Sequence, residues 1–327
     1  MESVISNFGL SLVFLTPALG GFVFGYDIGA TSFVLEMLRD PEAIEHDVWW
    51  SNMASNNLEQ GLFVSALSLG ALIGSHIVLF YLAHFIGRRM EIRICALLYL
   101  AGTALNVISG TLLKNSSELI GFTCLIAGRL LFGTGVGFIM HGAPTYMAEM
   151  CPANVRGSVV TGKEAFIVIG IVVGYGCGDL LSSDPLKWSN LYACTTIITL
   201  LMLLMTTFIP RSVRWLLMNG LEQEARESIQ FIYCSDATKE FEVLREQILH
   251  KQRDYPKQKR PLFSKANYTA LTASIGLVML QQFSGQPSII SYATVLFSAA
   301  GLSGDSSVWT ALYMIMNASF TVLMVDR

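Results

Sequence analysis

The stretch GLSLVFLTPALGGFVFGYDIGATSF, from Gly9 to Phe33, decides the fold. It is apolar throughout except for one charged residue, Asp27. About 20 apolar residues carry a helix across the hydrocarbon core of a bilayer, and this run exceeds that. It does not read as a cleaved signal peptide, because its apolar part is too long and no basic residue precedes it. Seven more stretches share its character: Leu58 to Tyr81, Ile92 to Leu113, Leu119 to Met147, Val160 to Leu181, Leu191 to Ile209, Tyr268 to Phe297 and Val308 to Val325. The chain therefore reads as an all-α membrane protein with eight spans, and the lipid bilayer is its first partner.

The composition agrees. Of 327 residues, 53% are hydrophobic and 14% charged, where a soluble domain carries roughly 25% charge. Mean hydropathy is +0.53. So few charges could not cover a soluble enzyme, and the chain is too apolar for a disordered one. A net charge of −3 gives no basic footprint for nucleic acid. The six cysteines lack paired metal spacing and mostly sit in apolar runs, so they read as small core residues. No nucleophile–base pair stands out, and no enzyme activity, metal or cofactor is expected.

Two loops are long. Leu35 to Asn57 is polar and contains Trp49 and Trp50. Pro210 to Asn267 holds eleven of the 21 Lys and Arg. Within it, Ile229, Ile232, Phe241, Leu244 and Ile248 recur at helical spacing, which predicts short amphipathic helices on the membrane surface. Basic residues concentrate in alternate loops: Arg88, Arg89 and Arg93, then Arg156, then the eleven. Cytosolic loops are enriched in Lys and Arg, so the N-terminus and the long loop are expected in the cytosol. The sequon at Asn115 is expected on the other side. Three parts follow: a six-helix half over 1–209, a cytosolic loop over 210–267, and the first two helices of an incomplete second half over 268–327.

A carboxylate within hydrocarbon is expensive unless paired or wet, and Arg129, in another apolar run, is the obvious partner for Asp27. Gln281, Gln282 and Asn317 lie in otherwise apolar spans. Side-chain amides donate and accept hydrogen bonds at once, and in hydrocarbon they need a polar partner; the alternative use is hydrogen bonding between helices. Glu164 has two readings, facing an internal cavity or being neutralised by the adjacent Lys163. His141 reads more readily as a polar helix-packing residue. Gly133, Gly135 and Gly137 read as close-approach positions rather than a nucleotide loop, since no strand precedes them.

Five motifs carry a family resemblance. They are Gly20 to Gly29 in the first span; Gly128-Arg129-Leu130-Leu131-Phe132-Gly133 in the fourth; Pro144 to Glu149 with Pro152 and Arg156-Gly157; Pro210, Ser212, Arg214, Trp215 and Leu216; and Gln281-Gln282-Phe283-Ser284-Gly285-Gln286-Pro287 in the seventh. In this order, the chain resembles the sugar porter family of the major facilitator superfamily. Within it, the chain is most similar to plant vacuolar glucose transporters and D-xylose–proton symporter-like proteins. The resemblance implies the major facilitator fold with eight of its usual twelve helices, so a C-terminally truncated chain. It also implies a secondary active transporter of a hexose or pentose, with sugar and proton as partners, in the vacuolar or plasma membrane. Asp27 would carry the proton and Arg129 tune it; Gln281, Gln282, Asn317 and Glu164 would meet the sugar. Gly87, Arg88, Arg89, Glu149, Arg156 and Arg214 would form the cytosolic gate.

The departures matter as well. His84 and Phe85 replace an acid and a base before Gly87-Arg88-Arg89, Arg211 replaces an acid, and Val213 a proline. Glu164 stands where the family has Gln, Pro287 where it has Asn, and Ser291 where it has Tyr. A facilitative carrier, or a truncated form that inserts without transporting, are the alternatives.

Overall fold

The computed structural model describes residues 6–39, 48–53, 55–83, 85–152, 155–181, 185–233, 237–254 and 265–300. The eighth stretch, Asn317 and His84 lie outside the described residues. Among the described residues, six helices are long and apolar enough to cross a membrane. They are α1 (Asn7–Leu38), α2 (Asn57–Ile77, continued by a π-helical turn over Val78–Leu82), α3 (Arg88–Gly110), α4 (Glu118–Met150), α5 (Arg156–Leu181) and α6 (Ser189–Phe208). Their starts follow local chemistry: the Ser6 hydroxyl accepts from the Gly9 amide, and the Asn56 side chain accepts from Leu58 and Glu59.

The bundle is built on close pairs: α1 against α5, α2 and α3 against α4, and α6 against α3 and α1. Glycine sets the first two distances. A Cβ at Gly25 would collide with the Ile167 carbonyl, and one at Gly70 with the Leu130 carbonyl. The outer faces carry Leu72, Phe80, Ile197 and Leu204, all exposed, as a lipid-facing surface requires. Two buried clusters hold the ends. One joins α1, α4 and α6 to the stretch from Ile209 to Phe241; the other gathers Trp49, Trp50 and Trp188.

The polar stretch after α1 begins later than the sequence implies, and the indoles in it are buried. Helix α1 runs on to Leu38, and Trp49 and Trp50 are buried. Their rings stand edge to face at 5.4 Å, with Trp188 5.7 Å from Trp50. Indoles behave as core whatever the charge of their neighbours, and Trp49 Nε1 donates to the Ser109 carbonyl at 3.0 Å.

The basic loop forms α7 (Val213–Met218), α8 (Glu222–Gln230) and α9 (Ala237–Asp254). Ile229, Ile232, Phe241 and Ile248 are buried and Leu244 packs against them. The Ser6 amide donates to the Ile232 carbonyl at 2.7 Å, tying the start of α1 to these helices.

The seventh stretch differs from the single span expected over Tyr268 to Phe297. It is broken into α10 (Lys265–Phe283), α11 (Gln286–Ser291) and α12 (Ala293–Ala299). Gly285 takes a left-handed φ of +73°, and Pro287 has no N–H to continue the ladder. A second break falls at Tyr292.

Candidate functional site

The charged residue of the first span is sealed in the bundle. Asp27 and Arg129 are both 0% exposed. Arg129 Nη1 donates to Asp27 Oδ1 at 2.7 Å and Oδ2 at 2.8 Å. The guanidinium also lies 5.2 Å from the Phe63 ring and 5.5 Å from the Tyr192 ring, so aromatic faces from α2 and α6 flank the cation. Thr31 donates to the Asp27 backbone carbonyl at 2.6 Å and shares a 3.3 Å hydroxyl contact with Tyr192.

Arg129 also lines a cavity of about 920 Å³ walled by α1, α2, α4, α5, α10 and α11. The same walls carry Glu164, Gln281 and Gln282, with Thr31, Ser65, Ser68, Ser288 and Ser291 adding hydroxyls and Phe24, Ile28 and Tyr292 adding apolar surface. A mixture of amides, hydroxyls and aromatic faces suits a ligand with many hydroxyls on an apolar ring frame. Glu164 and Lys163 form an ion pair at 2.8 Å; the lysine is buried, and the carboxylate is half exposed toward the cavity. Glu164 thus lines the cavity while paired with Lys163. Sequence reasoning missed the serines, whose small side chains give no signal in an apolar run.

At the end of the bundle where α2 meets α3, the motif residues converge. Arg88 pairs with Glu91 at 2.6 Å and reaches Glu149 at 3.8 Å. Ser212 donates to Glu149, and the Trp215 ring covers Gly87. Arg89 donates to the Thr206 carbonyl at 2.8 Å and Thr207 at 3.2 Å, satisfying the end of α6. Arg156 bonds the Cys151 carbonyl instead of joining this group, and Arg214 stands half-buried on α7 without an ion pair among the described residues. Buried Glu91 also meets His141 Nδ1 at 2.8 Å, so His141 packs α4 onto α3. Among the described residues no cluster of metal ligands occurs.

Six membrane-length helices, four of which wall a cavity beside a sealed acid–base pair, define an integral, multi-pass membrane protein with the major facilitator fold. A solved structure of the proton:xylose symporter XylE bound to 6-bromo-6-deoxy-D-glucose matches with a TM-score of 0.79 at 24% identity, covering 97% of this chain and 68% of that one. The chain belongs to the Sugar (and other) transporter family, whose model matches residues 13–327. Two Arabidopsis thaliana relatives, D-xylose-proton symporter-like 2 and D-xylose-proton symporter-like 3, chloroplastic, are each 36% identical over 97% and 96% of this chain. Glucose transporter GlcP of Staphylococcus epidermidis is 28% identical over 91% of it. The chain spans 63% and 58% of the length of the two plant relatives and 61% of GlcP.

Proposed function

We propose that this chain is the membrane-embedded part of a carrier that moves a monosaccharide, hexose or pentose, together with a proton by alternating access around the central cavity. The observation that carries this is the Asp27–Arg129 pair, buried yet joined through Arg129 to the cavity that Gln281, Gln282 and Glu164 line. A carboxylate held by a guanidinium is stable in a dry site. When a rearrangement draws the two apart, the unpaired carboxylate is costly in hydrocarbon and a proton neutralises it. The amides would exchange hydrogen bonds with sugar hydroxyls, and Asn317, known from the sequence alone, would join them. Gly87, Arg88, Arg89 and Glu149 would hold the cytosolic end shut, with Arg156 and Arg214 supporting it. Residues 1–209 would be one rocking half, 210–267 the cytosolic loop between halves, and 268 onward the start of the second half. The membrane would be vacuolar or plasma, with the N-terminus in the cytosol.

The test uses a chain carrying a complete twelve-helix fold, reconstituted in proteoliposomes. Glucose or xylose should accumulate against its gradient when a pH gradient is imposed. Asp27→Asn should abolish that accumulation while leaving sugar exchange. Accumulation by the variant with unchanged pH dependence would remove Asp27 from the coupling role.

A second reading rests on the outer face of α10, where Leu277, Leu280 and Phe283 are each at least 70% exposed. In that reading residues 1–327 on their own insert and pack without sealing the cavity, and carry no sugar. Saturable, pH-dependent uptake by the 327-residue stretch alone would eliminate it.

A further inference from the structure

Asp27 engages only one nitrogen of the Arg129 guanidinium. Nη1 makes both carboxylate contacts, and Nε is buried with no hydrogen-bond partner among the described residues. A guanidinium free to turn commonly meets a carboxylate as a fork, through two nitrogens. Here the rest of the cation meets rings instead. Phe63 of α2 and Tyr192 of α6 lie 5.2 and 5.5 Å from it, within the roughly 6 Å at which a ring face attracts a cation. Both rings are fixed: Phe63 is 0% and Tyr192 1% exposed. The Tyr192 ring stands edge to face with Trp188 at 6.2 Å, and its hydroxyl lies 3.3 Å from that of Thr31.

We infer that Phe63 and Tyr192 form an aromatic clamp that carries Arg129 when Asp27 is neutral, and so sets the pH at which Asp27 takes up its proton. With Asp27 ionised, the rings face an ion pair of no net charge. With Asp27 protonated, they face a full positive charge, and their negative faces attract it more strongly. The clamp also denies the carboxylate a second guanidinium nitrogen, which would favour the ionised form. Both effects favour proton uptake. The other ionisable groups around the pair are occupied elsewhere. Tyr99 of α3 donates to the Gly20 carbonyl at 3.3 Å, and Tyr26 of α1 to the Leu191 carbonyl at 3.0 Å. Lys163 and Glu164 of α5 pair with each other at 2.8 Å. Glu59, one turn before Phe63 on α2, accepts from Asn56 at 2.7 Å, and α11 and α12 contain no ionisable residue. Phe63 and Tyr192 are positioning residues that act through Arg129. The clamp rests on the carrier reading for the proton's place at Asp27, but measuring it needs no transport.

Infrared titration of the 327-residue chain in nanodiscs tests it. The carboxylic-acid C=O band that Asp27→Asn removes reports protonated Asp27. Tyr192→Leu and Phe63→Leu each delete one ring, from different helices, and each should lower the midpoint pH of that band by about one unit, as loss of a desolvated cation–π contact predicts. Tyr192→Phe keeps the ring face and drops the hydroxyl, so its midpoint should stay at the parent value. Should Tyr192→Leu not fold, Phe63→Leu carries the measurement. An unchanged midpoint in the folded leucine variants, a fall in Tyr192→Phe as large as in Tyr192→Leu, or an Asp27 band that no pH brings out would each overturn the clamp. A midpoint that falls as stated, with a twelve-helix chain that accumulates no sugar, would uphold the clamp and overturn the carrier reading.

Discussion

Arg129 presents a single nitrogen, Nη1, to both carboxylate oxygens of Asp27, at 2.7 and 2.8 Å. Neither side chain reaches solvent beyond 1%, so each is the other's main means of staying charged. Asp27 lies on α1 and Arg129 on α4, and the ion pair joins two helices whose relative motion would part it.

The first prediction follows from that burial. Arg129→Ala leaves a buried carboxylate without its partner and should cost about 3–5 kcal/mol of stability. Replacing both residues at once, Asp27→Asn with Arg129→Gln, removes both charges and should cost much less than the sum of the single changes. Thermal unfolding in detergent of the two single variants and the double variant measures the coupling. Additive losses would mean that the pair contributes nothing as a pair.

Packing of α2 on α4 gives a second. Gly70→Ala drives a methyl into the Leu130 carbonyl and to 3.0 Å from the Gly133 Cα, whereas Gly61→Ala in the same helix meets nothing within 4 Å. Forcing an extra methyl into a closed contact costs about 1–3 kcal/mol. Gly61→Ala should be neutral or slightly stabilising, since alanine is the better helix former. Melting temperatures of the two variants decide it; equal effects would mean that the helices are not in the contact described.

Cys151 gives a third, just past the end of α4. Burial pushes its thiol up to about 11, against a smaller opposing pull from Arg156. In the unfolded chain the value is near 9.0. Below pH 9 the thiol is protonated in both states and costs nothing. As pH climbs from 9 to 11, only the unfolded chain gives up the proton, so this group's contribution to stability is lost across that window. Because the thiolate is the nucleophile, N-ethylmaleimide should modify Cys151 far more slowly in the folded protein than after denaturation. Peptide mass spectrometry reads the rate, and fast labelling of native protein at pH 8 would contradict the burial.

The sequence made the acid and its partner legible because each is a charge in hydrocarbon, where almost any ionised group needs a reason. The same logic singled out the amides Gln281 and Gln282, whereas Glu164 was marked by the family resemblance; all three line the same cavity. It failed where contacts between helices hide in ordinary residues. Ser32 and Thr294 are small hydroxyls that occur in any membrane helix, and only the three-dimensional break of the seventh segment makes them partners of each other. The break itself had signals in Gly285 and Pro287, but hydropathy averages over a window and reads through them. Trp49 and Trp50 were hidden by acidic neighbours, since loop composition says nothing about which side chains turn inward. Glu91 with His141 was invisible for another reason: the two are fifty positions apart, and nothing local marks them as a pair.

The last prediction concerns sidedness. The basic groups are not spread over the molecule. Arg88 with Arg89 and Arg93 sits at the start of α3, and Arg93 bonds the Thr206 carbonyl at the end of α6 at 3.2 Å. Arg156 opens α5, and Arg211 precedes α7 and pairs with Glu224 at 3.1 Å. These helix ends meet where the Ser6 amide docks on Ile232. Asn115 is exposed at the opposite end, just past α3, beside Lys114, whose carbonyl accepts from the Trp49 amide. Lys and Arg favour the cytosolic face of a membrane, so the Ser6 and α7–α9 end should be cytosolic and Asn115 on the other side. Met218, at the end of α7, is 61% exposed and gives a probe for the first; Asn115 gives one for the second. In sealed cells or vesicles of known orientation, Asn115→Cys should react with a membrane-impermeant maleimide from the non-cytosolic face, and Met218→Cys only after the membrane is opened. The unsubstituted chain sets the background from the native cysteines. Labelling of Met218→Cys from the non-cytosolic face would invert the topology, and with it the assignment of Gly87, Arg88 and Glu149 to a cytosolic gate.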